Sequence, residues 1–406
     1  MEQKKSLTSI HGLEFLKGKL EGKKVFLRAD FNVPIQNGKV MDAYRIDTTM
    51  KTFAFLKREG AITVVASHIE TKDVESPTLQ PVFEYITEKY PEYVVTFCSD
   101  FLDSTKVTET VENAQSGDFI LFENIRNAKE KENDVDFAEY LKSFVEYYVN
   151  DAFAVSHRAH TTVSKLPSLF DADHKVAGLQ LHTEITSLGN ALHPAKPFVA
   201  ILSGAKFGTK LPLIEKYIET ADLVLVGGAL YNNVLKSLGY EVGVSLVDKE
   251  ANTVDTLVTS DSFIKKVCTP QYVVVKNIET GVIRESEIKD VQITDTIQDI
   301  AGRGVEEFVG KIKEIQAKTI LWNGPVGNFE VADFSKGTIK LGQELVAYSQ
   351  SSSDVYMILG GGDTVSAIRD VEGIKDASNI FVSTGGGAML EFLEKDGNIP
   401  GVVSLL

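Results

Sequence analysis

Cysteine is nearly absent: the 406 residues contain only Cys98 and Cys268. They lie far apart and belong to no Cys-x-x-Cys or Cys/His spacing, which argues against a zinc site or a disulfide framework and fits a reducing cytoplasm. Long apolar runs are missing too. No stretch reaches the ~18 uninterrupted apolar residues of a membrane span, and residues 1–24 carry scattered charges where a secretory leader would have an apolar centre. There is no surplus of positive charge: 42 Lys and Arg stand against 57 Asp and Glu, a formal net charge of −15. That is the wrong sign for a broad nucleic-acid surface, whose affinity comes from clustered cations. An anionic ligand must therefore find a local basic pocket. No segment reads G-x-x-x-x-G-K-[ST] and no triple-glycine run completes G-x-G-x-x-G, so a P-loop and the usual dinucleotide fingerprint are both unsupported. Internal repeats, low-complexity tracts and heptad seams are also lacking.

Hydrophobic residues at 43% and charged residues at 24% describe an ordinary folded protein. The length exceeds one comfortable core and predicts two domains of about 200 residues. Short β-branched runs at residues 25–32, 61–68, 93–99, 119–124 and 147–153 alternate with amphipathic helical patterns such as 44–58 and 134–145, the rhythm of a parallel sheet with helical crossovers. A helical pattern over 178–192 is followed by His193, Pro194 and Pro197, a natural exit from one domain into the next. The rhythm then restarts, with strands expected at 198–203, 223–228, 272–276, 319–323, 355–360 and 379–383; the broken, acidic alternation of 278–296 suggests irregular strands or a hairpin. The expected fold class is α/β: two Rossmann-like domains, each a parallel sheet flanked by helices, joined by a hinge helix.

Ligands of open parallel sheets bind outside the carboxyl ends of the strands. In the first half those positions carry Arg28, Asp30 and Asn32, then His68, then Glu123, Asn124 and Arg126, then Asn150 and Asp151, with His157, Arg158 and His160 just beyond. Arg28, Arg45, Arg126 and Arg158 are planar cations suited to bidentate capture of carboxylate and phosphate. Each alone is equally a salt-bridge partner; jointly they favour a ligand bearing both anions. His68 and His160 are either packed or liganding. In the second half the same positions carry glycines: Gly204, Gly227-Gly228, Gly324, Gly360-Gly361-Gly362 and Gly385-Gly386-Gly387. A single turn of this kind is commonly just a tight connection, but repetition along one edge suits backbone N–H groups and helix N-termini cradling phosphates. Lys206 and Lys210 are spaced to face such phosphates together or to form a solvated pair. Asp363, after three glycines, is either an N-cap or a ligand for phosphate-bound Mg²⁺.

These residues resemble the phosphoglycerate kinase family over almost the full length. The matching segments are Arg28-Ala29-Asp30-Phe31-Asn32-Val33-Pro34, Asp42 through Ile46, Glu123-Asn124-Ile125-Arg126, Val149-Asn150-Asp151-Ala152-Phe153 and His157-Arg158-Ala159-His160. Further on come Gly204-Ala205-Lys206, Trp322-Asn323-Gly324-Pro325-Val326-Gly327 with Phe329-Glu330, Gly360 through Asp363, and Ser383 through Gly387. The resemblance implies reversible phosphoryl transfer from 1,3-bisphosphoglycerate to MgADP, giving 3-phosphoglycerate and MgATP, by a cytoplasmic monomer that closes about a hinge. It implies that residues 1–185 hold the glycerate substrate, 186–388 the nucleotide, and that 389–406 return toward the first domain. By the same analogy Arg28, Asp30, Asn32, Arg45, His68, Arg126 and Arg158 bind the glycerate. Gly204, Lys206, Lys210, Gly227, Gly228, Asn323, Glu330, Gly360, Gly361, Gly362, Asp363, Thr364, Gly385 and Gly386 bind ADP or ATP. Arg45, Lys210, Gly362 and Gly386 serve the transfer itself, and Asp363 holds Mg²⁺.

Some segments depart from the family pattern. Its S-H-L-G-R-P appears as Ser67-His68-Ile69-Glu70-Thr71-Lys72, losing an arginine and adding an acid; Thr209 stands where an aspartate is usual; and Asp299-Ile300-Ala301-Gly302 only partly resembles D-x-G-P. Two alternatives stay open on sequence alone: a catalytically weak nucleotide-binding homologue that serves a partner, or a kinase for another phosphorylated carboxylate.

Overall fold

The apolar runs of the first half pair into one parallel sheet. In the computed structural model, which describes residues 7–70, 77–205, 208, 210–248, 254–374 and 377–406, the elements begin with β1 (Lys24–Arg28), the small hairpin β2 (Ile35–Gln36) and β3 (Lys39–Val40), and α1 (Tyr44–Arg58). They continue through β4 (Ile62–Ala66), α2 (Gln80–Lys89), β5 (Val95–Cys98), α3 (Ser104–Asn113), β6 (Phe119–Phe122), α4 (Val135–Lys142), β7 (Tyr147–Asn150), β8 (Lys175–Ala177) and α5 (Leu179–Leu192). The sheet order is β5-β6-β4-β1-β7-β8, all pairs parallel. Strands such as β4 (ITVVA) and β6 (FILF) are buried at every position because helices cover both faces, which demands continuous apolar runs rather than alternation. Helix α1 buries Ile46, Met50, Phe53 and Leu56 along one stripe, and Phe53 stacks on Phe119 of β6 with ring centroids 4.2 Å apart. Burying an aromatic of this size stabilises the fold by roughly 1.5–3 kcal/mol. Asp103 and Asp134 start α3 and α4 by accepting backbone N–H groups of the first turn.

The chain divides into two units, one of Met1–Thr186 with Gly397–Leu406 and one of Ser187–Asp396, so the division falls inside α5. The second unit contains β9 (Phe198–Leu202), α6 (Leu211–Thr220), β10 (Leu223–Val226), α7 (Gly228–Ser237), α8 (Val254–Val258), α9 (Asp261–Lys266), β11 (Val267–Cys268), β12 (Tyr272–Asn277), β13 (Ile283–Glu287) and β14 (Asp295–Ile300). After these come α10 (Gly302–Glu314), β15 (Thr319–Asn323), α11 (Lys336–Gln350), β16 (Tyr356–Gly360), α12 (Gly362–Ile368), β17 (Ile380–Val382) and α13 (Gly387–Glu394). Its parallel sheet runs β11-β10-β9-β15-β16-β17.

One expected strand of that sheet lies elsewhere. β12, over residues 272–277, belongs to a separate antiparallel sheet, β13-β12-β14. The physical reason is the turn that follows it: Asn277 Oδ1 accepts from Glu279 N at 3.1 Å and Thr280 N at 2.9 Å, and Gly281 takes a left-handed φ of 72°. A tight turn returns the chain antiparallel, whereas a parallel neighbour needs a long crossover. The acidic stretch that follows forms the hairpin's return strand and β14. The edge position of the parallel sheet goes to β11, which at two residues leaves no periodic signal.

The segment after residue 396 joins the first unit. Helix α14 (Pro400–Val403) is anchored by Gly401 N to Ser156 O at 2.7 Å, Asn150 Nδ2 to Gly401 O at 3.3 Å and Lys175 Nζ to Ser404 O at 2.7 Å. Ile399, Val402 and Leu405 are buried beside these bonds. Among the described residues no helix is long and apolar enough to cross a membrane.

Candidate active site

Parallel pairing brings the strand ends of the first unit to one edge, where Arg28 is level with Ala66 and Asn150. Past β1 the chain leaves the sheet, so Asp30 and Asn32 stand in a loop. Asp30 Oδ2 lies 3.0 Å from Arg45 Nη1, which also donates to Asn32 O at 3.2 Å. Arg45, at the start of α1, is thereby aimed while its side chain stays one-third exposed (33%). Arg158 is exposed and has no ion-pair partner among the described residues. Arg126 is ion-paired with Glu70, and its Nε is buried without a hydrogen-bond partner.

Arg28 supports this surface from beneath. It is wholly buried, with Nε donating to Thr162 Oγ1 at 2.8 Å, Nη1 to Ala29 O at 2.5 Å and Nη2 lying 3.3 Å from His68 Nδ1. A guanidinium can only donate, so Nδ1 of His68 accepts and its proton sits on Nε2. Burial, reinforced by the charges of Arg28, Arg126 and Arg45, holds His68 well below the ordinary histidine value, so it is neutral. His160 is pushed down to about 4 by burial and then by Arg126, Arg28 and Arg158. Burial likewise lowers Arg126 to about 10, helped by Arg28 and Arg158. The counter-charge buried beside Arg28 is Glu130, 3.7 Å from Arg28 Nη2 and accepting from Thr162 N at 2.9 Å and Oγ1 at 2.7 Å. Burial raises its pKa, and Arg28 opposes that rise. Neutral histidines among guanidiniums leave this edge with a net positive charge, which suits a multiply charged anion.

The second unit gathers glycine turns at the ends of β9, β10, β15, β16 and β17, which the parallel register brings to one edge. Gly361 has φ 95°, and a Cβ there would press on the Asn323 amide at 3.1 Å and the Thr364 hydroxyl at 3.2 Å. Gly362 is different: its φ is ordinary and a Cβ would meet nothing within 4 Å. Neither backbone nor packing asks for glycine at 362, so the first turn of α12 is open to solvent on that side. Thr364 Oγ1 accepts Gly324 N at 2.7 Å, and the buried Asn323 Nδ2 has no hydrogen-bond partner. Lys210 is buried just before α6, with Nζ donating to Ser203 O and, at 3.3 Å, to Asn323 O. Burial draws its pKa down to about 8, against the attraction of Asp363. Asp363 sits exposed in the first turn of α12, whose N-cap is Gly361, so the capping alternative does not apply.

Beside this edge lies a cleft of about 390 Å³, whose lining includes Gly204, Gly228, Tyr231, Asn232, Ile300, Val326, Glu330 and Asp363. Asp299 lines it as well; burial lifts its carboxyl to about 7 against bonds accepted from Gly337 N and Ile300 N.

The sequence model of the phosphoglycerate kinase family matches residues 16–396. The chain belongs to the phosphoglycerate kinase family. It is 36% identical over 396 residues to the phosphoglycerate kinase of Dictyoglomus turgidum, covering 95% of this chain and 96% of that one. It is also 36% identical over 381 residues to that of Haemophilus influenzae, covering 92% and 93%. Among solved structures it is similar to phosphoglycerate kinase from Coxiella burnetii, with a TM-score of 0.82 and 31% identity over 98% of both chains. The enzyme of the same name from Pyrococcus horikoshii OT3 gives 0.79 at 26% identity, covering 95% of this chain and 96% of that one.

Against the family pattern, several strand-end residues are occupied by the fold. Glu123 accepts from Leu79 N at 2.8 Å and Asn124 N at 2.6 Å. Asp151 accepts from Thr52 Oγ1 at 2.7 Å and Gln180 N at 2.8 Å, anchoring the start of α5. A Cβ on Gly227 would crowd Val326 and Ile300, and one on Gly360 would collide with Met389, so packing alone accounts for both glycines. Gly385 N donates to Ser383 Oγ at 3.1 Å, while Gly386, with φ 51°, borders open space. Lys206, Thr71, Lys72 and Thr209 lie outside the described residues. Glu130, in a Lys/Glu run that looks like solvated surface, carries no sequence signal for a site, and neither does the place of Tyr231, Ile300 and Val326 in an apolar cleft wall.

Proposed function

We infer that the chain catalyses reversible phosphoryl transfer between a nucleotide and the carboxylate of 3-phosphoglycerate, and that the two halves of this chemistry are held by the two units. The observation that carries the reading is the split itself: three guanidiniums with buried neutral histidines on one sheet edge, and glycine turns beside a part-apolar cleft on the other. On this reading Arg45, Arg126 and Arg158, with Asp30, Asn32 and His68, hold the glycerate, and buried Arg28 supplies its field through His68. The cleft takes the base and ribose of ADP or ATP, with Glu330 beside the ribose. Backbone N–H groups at Gly362 and Gly386 and the ammonium of Lys210 face the phosphates.

In the direction of ATP consumption the substrate carboxylate oxygen attacks the γ-phosphorus and the bond to the ADP oxygen breaks, so no covalent enzyme intermediate is formed. Such a transfer depends on alignment and on charge stabilisation of the moving phosphoryl group. Arg45, aimed by Asp30, supplies that charge from the glycerate side, and Lys210 from the nucleotide side. Transfer in line requires the two units to be brought together, and we assign the hinge to the region of α5. Asp363 has the exposure and chemistry to hold Mg²⁺, which takes a carboxylate together with phosphate oxygens and water. When bound, the ion would neutralise phosphate charge. A monomer working in the cytoplasm belongs to the same reading, whose substrates are small soluble metabolites.

The test is ATP consumption by the purified chain with Mg²⁺ and 3-phosphoglycerate, alongside Arg45→Ala. Turnover that falls by about 10²–10³ in the variant is expected, the usual loss for one stabilising donor. Tight ADP binding without turnover would overturn the reading in favour of a nucleotide-binding homologue. Turnover only with another phosphorylated carboxylate would redirect the substrate.

A further inference from the structure

The phosphate- and carboxylate-binding edge of the first unit already contains an anion of its own. Glu70 reaches Arg126, and the same carboxylate oxygen lies 3.6 Å from Lys131 Nζ. The backbone is held at both ends of the pair. Asn124 accepts Ile69 N at 3.3 Å and Arg126 N at 3.2 Å on one oxygen, and its amide donates to Ile69 O at 2.9 Å, so one side chain holds the backbone on either side of the contact. Glu70 N donates to Asn32 Oδ1 at 3.0 Å, which ties it to the loop that carries Asp30.

The two partners are unequal. The Arg126 side chain is only 8% exposed, whereas that of Glu70 is 54% exposed. An enclosed guanidinium crowded by Arg28 and Arg158 needs a counter-charge, while a half-exposed carboxylate leaves for water at small cost.

We propose that Glu70 is an internal competitor for the substrate's anion, occupying Arg126 until a substrate carboxylate or phosphate displaces it. This rests on the reading of Arg126 as a substrate contact. Its consequence is specificity as well as affinity: a ligand must offer Arg126 more than one carboxylate does, which favours molecules with several negative charges converging on the edge and raises the concentration at which the site fills. The carboxylate also keeps the cationic cluster compensated while no ligand is bound.

The experiment compares the full chain with Glu70→Gln and Glu70→Ala. Calorimetry measures binding of inorganic sulfate and of 3-phosphoglycerate, and steady-state turnover with MgATP gives KM for each substrate. Loss of a competing half-exposed ion pair should tighten sulfate and 3-phosphoglycerate about two- to fivefold in both variants. KM for 3-phosphoglycerate should drop in step while KM for MgATP stays put. Unchanged or weaker anion binding in both variants overturns the proposal, as does failure of every form to bind either anion. Tighter sulfate binding in a protein that does not turn over 3-phosphoglycerate would instead sink the functional reading and leave Glu70 as the competitor.

Discussion

Arg28 and Glu130 face each other inside the first unit, Nη2 3.7 Å from Oε1, with neither side chain exposed to solvent. The pair underlies the cationic edge: Arg28 reaches toward His68, while Glu130 receives both donors of Thr162. Removing one partner of a buried pair strands the other charge, at a cost of about 3–5 kcal/mol. Glu130→Gln is therefore expected to lower the unfolding temperature by several degrees, at roughly 2–4 °C per kcal/mol for a unit of this size. Thermal unfolding checks it, and a loss below about 1 kcal/mol would mean that Glu130 does not carry the charge of Arg28.

Gly362→Ala separates folding from binding. The new methyl group would meet no atom within 4 Å and the backbone there is ordinary, so unfolding should be unaffected, or slightly improved because alanine suits a helix better than glycine. ADP affinity should nevertheless fall tenfold or more, since the methyl group occupies the approach to the first N–H groups of α12. Wild-type affinity in a normally stable variant would remove Gly362 from the phosphate site.

Acid should weaken the fold through its neutral histidines. His160 titrates near 4 in the folded chain, below its ordinary 6.5. Between those values the unfolded chain takes up a proton that the folded chain refuses, so stability present above about 6.5 is lost as pH falls toward 4. The contribution is on the order of 1–3 kcal/mol. His68 acts in the same direction. Urea midpoints measured between pH 7 and 4.5 should drop more steeply for the wild type than for His160→Gln; equal slopes would contradict the assignment.

The sequence made the strand ends legible because a parallel sheet brings every carboxyl end to one edge, and runs such as 62–66 and 119–122 declare themselves by unbroken apolarity. Arg126 and the Gly360-Gly361-Gly362 turn could therefore be expected at those edges from the sequence, whereas Arg45, in the first turn of α1, was singled out by the family resemblance. Tertiary partnership could not. Whether Arg28 meets a ligand or supports the residues that do is decided by Thr162 and Glu130, both more than a hundred positions away along the chain. The cleft walls were hidden for another reason: β14 contributes Ile300 only because β12 turns back antiparallel at Asn277, and a hairpin with weak alternation gives little period to read.

The first unit is discontinuous, and that sets an order on its manufacture. A ribosome delivers Asn150 long before Gly401, which is 251 residues further along, and the whole of Ser187–Asp396 emerges between them. Until Ile399, Val402 and Leu405 arrive, the surface that will bury them stands bare on the nascent chain. The half that is translated first is thus completed last, and its exposed apolar seat is where a chaperone would have most reason to wait.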